Sequence, residues 1–212
     1  MLTIVLLTGA EGAGKSSIAT TLVTNHGFYE LSFATGVRAA TVEVWNTLCA
    51  MVSPSLKLPT ISIADTYDRD KKELPLPCDI DLRIGGRIVS PRVLLQWFGT
   101  DIMRTKVADD IWVNTTLSSL TNLIQCGHTK FVLSDLRFPN ELTAVRTFAY
   151  MQGGQIIAVR VKRTHTDEHV LACAGHESTQ HWASLPVDIE LCNTFHTEWL
   201  PIAAKAILDL VK

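Results

Sequence analysis

Glycines, a lysine and a serine near the start of the chain have the types and spacing needed to bind nucleotide phosphates. Gly9, Gly14, Lys15 and Ser16 satisfy the pattern G-x-x-x-x-G-K-[ST], the phosphate-binding P-loop. Glycines allow backbone angles that a Cβ would penalise, so successive N–H groups can curl around a phosphate. Lysine carries a mobile positive charge, and a serine hydroxyl can coordinate Mg²⁺. We predict that a nucleoside triphosphate is bound by Gly9, Glu11, Gly12, Ala13, Gly14, Lys15, Ser16 and Ser17.

A carboxylate and an arginine follow a later apolar stretch. Phe131–Leu133 is typical of a buried strand, and it is followed by Asp135 and Arg137. In P-loop proteins an aspartate at this place can hold Mg²⁺ directly or through water. Arginine can hydrogen-bond two phosphate oxygens at once with its planar fork. A structural salt bridge is the alternative for Arg137.

A third set of polar residues shares one face of a predicted helix that starts at Ser90-Pro91 and continues to about Arg104. Serine is a good N-cap and proline a good first helical residue. Helical spacing groups Arg92, Gln96 and Gly99 on one side, where they could present hydrogen bonds to a flat ligand. A plain solvent-exposed face would show the same pattern. The opposite, apolar side carries Leu94, Phe98 and Ile102.

Short apolar runs alternate with amphipathic stretches, so the chain predicts a parallel sheet covered by helices on both faces, an α/β class. Ligands of such sheets bind outside the carboxyl ends of the strands, where the P-loop and Asp135 both lie.

Residues 53–90 lack periodicity, and we expect an irregular segment that either covers a substrate or is a solvated loop. Helical spacing predicts Val37, Val44 and Leu48 on the inward face of a helix over about 36–51, and Trp199, Ala203, Ala206 and Leu210 on that of the last helix. We predict strands over 2–7, 28–33, 131–135, 155–161 and 187–192.

Composition limits the class of protein. The chain has 212 residues, 47% of them apolar and 19% charged, with a net charge of −2, which suits one ordinary domain and argues against a general nucleic-acid or anionic-membrane binder. Five scattered cysteines without a C-x-x-C pair favour a reducing, cytoplasmic setting. The apolar run over residues 1–7 is too short to span a membrane, so no membrane partner is expected.

Three segments, taken together and in order, resemble the bacteriophage-type deoxynucleoside monophosphate kinases. They are Gly9–Ser17, Arg92–Asp101 with Trp112 downstream, and Asp135–Glu141, of which the R-x-x-x-Q-x-x-G-T-D pattern is the most specific. The resemblance implies a single three-layer P-loop kinase domain over residues 1–212, with an acceptor region at about 33–110 and a lid at about 163–186. It implies transfer of the γ-phosphoryl group of ATP, with Mg²⁺, to a deoxynucleoside monophosphate, serving DNA replication in a host cytoplasm if the origin is a phage.

The resemblance also implies roles for individual residues. Lys15, Asp135 and Arg137 would be catalytic, with Mg²⁺ on Ser16 and Asp135. Arg163 would be a lid cation, and Asn193 would lie near the ATP base. The acceptor would be contacted by Phe33, Arg38, Arg69, Lys72, Arg92, Gln96, Gly99, Thr100, Trp112, Arg137, Asn140 and Glu141.

Other interpretations remain open at this point. A kinase of another small metabolite, resembling dephospho-coenzyme A kinases, would also carry a P-loop. A protein that binds ATP and signals by conformation would need no acceptor. Homodimerisation is open as well. Zinc binding is a weak alternative for the segment that carries His165, His169, Cys173 and His176.

Overall fold

Strands and helices alternate along the chain, as the sequence predicts. A computed structural model describes residues 1–52, 57–68, 70–163, 181–194 and 198–211. In chain order the elements are β1 (Thr3–Thr8), α1 (Lys15–His26), β2 (Tyr29–Leu31), α2 (Ala34–Met51), α3 (Ile63–Tyr67), β3 (Arg83–Ile84), β4 (Arg87–Ile88), α4 (Pro91–Gln96), a π-helix (Trp97–Val107), α5 (Ile111–Gln125), β5 (Lys130–Leu133), α6 (Pro139–Met151), β6 (Gln155–Arg163), a 3₁₀ turn (His181–Ala183), β7 (Ile189–Asn193) and α7 (Trp199–Leu208).

Five of the described strands form one parallel sheet in the order β2-β5-β1-β6-β7. The first strand lies at the centre of the sheet, between β5 and β6, and all the described neighbours in the sheet pair in parallel. All the carboxyl ends therefore lie along one edge, which is where β1 passes into the P-loop and β5 into Asp135.

The side chains of β1 point alternately to the two faces of the sheet, and each face has its own hydrophobic core. Val5 and Leu7 pack into a core with Ile18 and Leu22 of α1 and with residues of α7. Ile4 and Leu6 pack on the other face, into a core with Leu120 of α5 and with Leu142 and Val145 of α6. The three-layer α/β architecture, a parallel sheet between helical layers, is thereby confirmed.

The chain divides into two compact units. The first comprises residues 1–33 and 113–212, and the second comprises residues 34–112. The second unit holds α2, α3, the antiparallel β3–β4 hairpin, α4 and the π-helix. Its core contains Trp45, Ile61, Val89 and Leu94.

The inward face of α2 differs from the predicted one. Thr41 and Trp45 are buried, whereas Leu48 is 41% exposed. The Trp45 indole Nε1 donates to the Pro59 carbonyl at 2.8 Å, and Asn46 exchanges two hydrogen bonds with the backbone of Ile61. The residues just before α3 therefore pack on the Trp45 side of α2. This is a tertiary contact, which the periodicity of the helix sequence does not reveal.

The described part of residues 53–90 contains regular structure that the sequence did not predict. Within the described part of this segment, α3 begins at a capping box formed by Ser62 and Asp65, and a two-stranded hairpin follows. Hydrogen bonds from Ser62, its side chain first, lower the pKa of the Asp65 carboxyl.

The predicted helix over 91–104 also differs from the observed one. Ser90 caps it and Pro91 is its first residue, as predicted, but from Trp97 onward it continues as a π-helix to Val107.

The last helix turns a slightly different face inward than predicted. Trp199 and Ala203 are buried as expected, and they are joined by Ala204 and Ile207. Leu210 follows the end of the helix and is 43% exposed, so its predicted place in the core is wrong.

Candidate functional site

The P-loop follows β1 and is held closely against the rest of the first unit. Gly9 has φ 138°, and a Cβ there would collide with the carbonyl oxygen of Val161 in β6. The Thr8 hydroxyl donates to the Leu136 carbonyl at 2.8 Å, and the Leu136 N–H donates to the Leu7 carbonyl at 3.1 Å. The start of the loop is therefore fixed against both β6 and the segment that carries Asp135.

Lys15 begins α1 and reaches back over the loop. Its Nζ donates to the carbonyls of Gly9 at 2.8 Å and Ala10 at 2.7 Å. Gly14 precedes the helix in the left-handed region at φ 106°, and no side chain caps the first turn, which contains no acidic residue. The first turn thus presents the positive end of a 12-residue helix dipole, which favours an anion.

Asp135 holds the end of β2. Its Oδ2 accepts from the Ser32 hydroxyl at 2.6 Å, and its Oδ1 accepts from the Phe33 N–H at 2.9 Å. Phe33 itself is 4% exposed and belongs to the same hydrophobic core as Leu133 and Leu136. The structure thus assigns Phe33 a packing role, and Ser32 is a polar neighbour of Asp135 that sequence reasoning missed.

The oxygen donors available here suit Mg²⁺. Ser16 lies exposed in the first turn of α1 and offers a hydroxyl, and Asp135 offers a carboxylate. A hard cation prefers such oxygen ligands and commonly shares them with nucleotide phosphates. Among the described residues, no group of three or more His, Cys, Asp or Glu side chains could hold a metal ion by itself. Ser16 and Asp135 thus offer the oxygen donors that such a cation prefers.

Glu141 is a positioning residue for Arg137. It is 2% exposed, and its Oε2 accepts from the backbone N–H groups of Arg137 at 2.8 Å and Phe138 at 3.0 Å. These bonds fix the turn between β5 and α6, on which the Arg137 side chain is exposed. The sequence resemblance placed Glu141 in contact with the acceptor, and the geometry favours this indirect role. Asn140 lies beside it in the first turn of α6.

Arg163 and Asn193 end neighbouring strands and reach the P-loop together. They are register partners of β6 and β7. An Arg163 guanidinium nitrogen lies 3.5 Å from the position that a Cβ on Gly12 would take, and Asn193 Nδ2 donates to the Ala13 carbonyl at 2.9 Å. Arg163 is thus the last residue of a strand, beside the phosphate loop. Most of the predicted lid, with His165, His169, Cys173 and His176, lies outside the described residues.

In the second unit, Arg92 and Gln96 of α4 are each paired with a charged neighbour. The Arg92 Nε donates to the Glu73 carboxylate, and the Arg87 Nη1 of β4 donates to the side-chain Oε1 of Gln96 at 2.7 Å. The Arg92 backbone N–H also donates to the Lys72 carbonyl at 2.9 Å. This backbone hydrogen bond holds Lys72 next to Arg92. Arg69 lies outside the described residues.

Gly99, Thr100 and Trp112 form a second group within this unit. The Trp112 indole Nε1 donates to the Gly99 carbonyl at 2.8 Å, and the Thr100 carbonyl accepts from the Thr105 hydroxyl at 3.0 Å. A Cβ on Gly99 would lie only 2.5 Å from the Val37 Cγ1. Gly99 therefore packs against α2, whereas the sequence predicted that it would lie on an open polar face.

Arg38 lies one residue after Val37, in the first half of α2. Its guanidinium carbon is 4.3 Å from the centre of the Tyr67 ring, and its Nη1 donates to the Thr66 carbonyl at 3.1 Å. The Tyr67 side chain is 57% exposed. Arg38 is thus held against α3 beside an exposed aromatic ring, a pair that the sequence did not reveal.

Comparisons with known proteins agree with the motifs. The model of the family described as deoxynucleotide monophosphate kinase matches residues 86–179. A protein of Acanthamoeba polyphaga mimivirus, named as a candidate deoxynucleotide monophosphate kinase, is 28% identical over 163 residues, which is 72% of this chain and 71% of its own length. The resemblance to deoxynucleotide monophosphate kinases is thereby confirmed. This relative comes from a giant virus, so the comparisons do not show a bacteriophage type.

The chain is also similar to solved structures that are named as kinases. An APS kinase of Mycobacterium tuberculosis, in complex with AMPPNP and APS, is 14% identical with a TM-score of 0.47 and covers 99% of this chain and 96% of its own. A dephospho-CoA kinase of Campylobacter jejuni is 14% identical with a TM-score of 0.42 and covers 98% of this chain and 96% of its own. Similarities this low do not distinguish one substrate class from another. Together with the family match, the P-loop indicates a phosphotransferase of the kinase class.

None of the helices in the described ranges has the length and apolar character required to cross a bilayer.

Proposed function

We propose that this protein transfers the γ-phosphoryl group of ATP to a deoxynucleoside monophosphate, forming the diphosphate and ADP. The observation that carries the proposal is the family match over residues 86–179, because this range contains both the Arg92–Asp101 and the Asp135–Glu141 segments. The P-loop lies outside that range, so it supports the donor independently.

The donor phosphates would be bound by the first unit. Backbone N–H groups of the P-loop and the N-terminus of α1 would surround them, and Lys15, now held on the Gly9 and Ala10 carbonyls, would contact the β- and γ-phosphates. Arg163 adds a positive charge beside Gly12. Mg²⁺ would be held by Ser16 and the donor phosphates, with Asp135 in support, and would neutralise charge on the transferred group.

The acceptor would be bound chiefly by polar groups of the second unit. Arg92 and Lys72 lie together there, and Gln96 follows Arg92 by one helical turn. Arg137 of the first unit is the further candidate for gripping a phosphate, since Glu141 fixes its backbone and leaves the side chain exposed. Phosphoryl transfer depends mainly on positioning and charge neutralisation. No general base is needed, because the acceptor phosphate oxygen is already ionised.

An ADP-release assay across the four common deoxynucleoside monophosphates tests the proposal. We expect turnover with at least one of them, dependent on ATP and Mg²⁺. Dephospho-coenzyme A is the control acceptor, and ATP alone measures background hydrolysis. Turnover with dephospho-coenzyme A and with none of the monophosphates would contradict the proposal. Tight ATP binding without turnover of any acceptor would instead favour an ATP-dependent switch protein.

A further inference from the structure

The end of the P-loop is braced by two residues that come from the far end of the chain. Asn193 is the last residue of β7 and is 8% exposed, and its Nδ2 donates to the Ala13 carbonyl at 2.9 Å. The amide nitrogen also lies 2.7 Å from the position that a Cβ on Gly14 would take, and a ring carbon of Trp199 lies 3.4 Å from it. The backbone at Ala13 and Gly14 is therefore packed directly against Asn193 and Trp199.

The hydrogen bond to Ala13 also orients the next backbone amide. The Ala13 carbonyl and the Gly14 N–H belong to one peptide group, and in a trans peptide they point to opposite sides. Because Asn193 holds the carbonyl on the β7 side, the Gly14 N–H must point away from β7. Gly14 directly precedes Lys15, at the N-terminus of α1, where backbone N–H groups bind anions.

We infer that Asn193 is a positioning residue for the phosphate donor, acting through the Ala13–Gly14 peptide rather than through the nucleotide base. The inference rests on the proposed function to the extent that a polyphosphate occupies the P-loop. Asn193 presets the Gly14 amide for a phosphate oxygen, so that binding does not have to reorient the peptide. A contact of this kind acts on any polyphosphate, whether or not it carries a base.

Calorimetric titration of Asn193→Ala with two ligands, MgATP and magnesium tripolyphosphate, tests the inference without any acceptor. Both dissociation constants should rise by the same factor, about three- to ten-fold, as the loss of one hydrogen bond implies. Asn193→Leu is the second variant, because it keeps the branched shape of the side chain while removing the donor. It should show the same equal weakening.

Two control variants separate this effect from general destabilisation. Asn46→Ala removes an asparagine that likewise donates to a backbone carbonyl, at 2.8 Å to Ile61, in the second unit. Cys192→Ser changes the residue before Asn193. The side chain of Cys192 is exposed and lies on the opposite face of β7 from that of Asn193. Both should bind tripolyphosphate as the wild type does, even where thermal denaturation shows that Asn46→Ala is less stable.

Several results would overturn the inference. Weakened binding of ATP with unchanged binding of tripolyphosphate would show that Asn193 contacts the base. Unchanged binding of both ligands, or equal weakening in Asn46→Ala, would remove the positioning role, as would a wild type that binds neither ligand. Normal polyphosphate binding by the wild type without turnover of any deoxynucleoside monophosphate would contradict only the proposed function.

Discussion

Asp135 and Glu141 are six residues apart in one sequence motif, and their carboxylates do different work. Asp135 accepts hydrogen bonds from Ser32 and Phe33 at the end of β2. Glu141 is buried and accepts two backbone N–H groups in the turn before α6. A motif therefore carries residues that hold its shape as well as residues whose side chains are exposed, and Arg137 belongs to the second kind.

Arg92 provides the sharpest test of the acceptor assignment at the level of one side chain. Replacing it by alanine removes the charge that now pairs with Glu73. Hydrogen bonds to charged groups contribute about 1.5–3 kcal/mol, so kcat/KM for the acceptor should fall by about 10- to 100-fold. The affinity for MgATP, measured by calorimetry, should stay within about two-fold of the wild-type value.

Arg83→Ala is the matched control for this variant. Arg83 lies on the β3–β4 hairpin of the same unit, and its guanidinium pairs with Asp81 at 2.9 Å in an exposed position. Exposed pairs contribute little to stability, so neither acceptor kinetics nor ATP affinity should change. A collapse of ATP affinity in Arg92→Ala, with acceptor kinetics preserved, would show that the acceptor assignment is wrong.

Sequence reasoning succeeded for residues whose role is encoded in local spacing. The P-loop pattern specifies both the glycines with positive φ and the lysine that folds back over them, and the structure shows both. Ser32 and Glu73 were missed because each meets its partner across a long stretch of chain, 103 residues for Ser32 and Asp135 and 19 for Glu73 and Arg92. Such pairs depend on tertiary packing, which one sequence does not display.

At the level of elements, the helix after Ser90 shows where periodicity fails. The capping serine and the first-turn proline were predicted because their chemistry is local. The change to a π-helix at Trp97 was not, since apolar residues at helical spacing are compatible with either winding. In the observed winding, Gly99 packs on Val37 and its carbonyl is bound by Trp112. π-Helical turns frequently occur at functional sites, which agrees with the proposed acceptor role of this segment.

The close approach of the π-helix to α2 predicts a coupled pair of substitutions. Gly99→Ala would place a Cβ 2.5 Å from Val37 Cγ1, and a valine on a helix has little rotamer freedom to move away. Overpacking of this kind costs about 1–3 kcal/mol of unfolding free energy. Val37→Ala should recover part of that loss, with a coupling energy of about 0.5–3 kcal/mol in a double-mutant cycle measured by urea unfolding.

The double-mutant cycle has a clear contrary outcome. If the two substitutions were strictly additive, the contact between Gly99 and Val37 would not limit the packing of the two helices. The acceptor KM of the double variant is a second measurement. If this segment binds the acceptor, recovery of stability in the double variant should be accompanied by partial recovery of acceptor binding.

At the level of the whole molecule, sequence spacing predicted the parallel sheet but not the packing inside the second unit. The five strands were identified because short apolar runs alternate with helical patterns, and β1 shows why: its side chains point alternately into two separate cores. The second unit, residues 34–112, has a core of its own around Trp45 and Leu94. In this core, Trp45 of α2 is grouped with Ile61 and Val89, which belong to a segment without helical periodicity. Sequence spacing alone therefore predicted the wrong inward face for α2.

Hydrogen exchange resolves which unit each substrate contacts. Binding slows exchange most where amides become part of a ligand site or of the structure around it. A non-hydrolysable MgATP analogue should protect the first unit, above all residues 9–17, by about ten-fold or more. A deoxynucleoside monophosphate accepted in the turnover assay should, when added alone, protect α2, α4 and the π-helix of the second unit. The corresponding deoxynucleoside, which lacks the phosphate, should protect these helices less, since Arg92 and Lys72 would have no phosphate to bind. Acceptor-induced protection confined to residues 1–33 and 113–212 would contradict the acceptor assignment, even if turnover were observed.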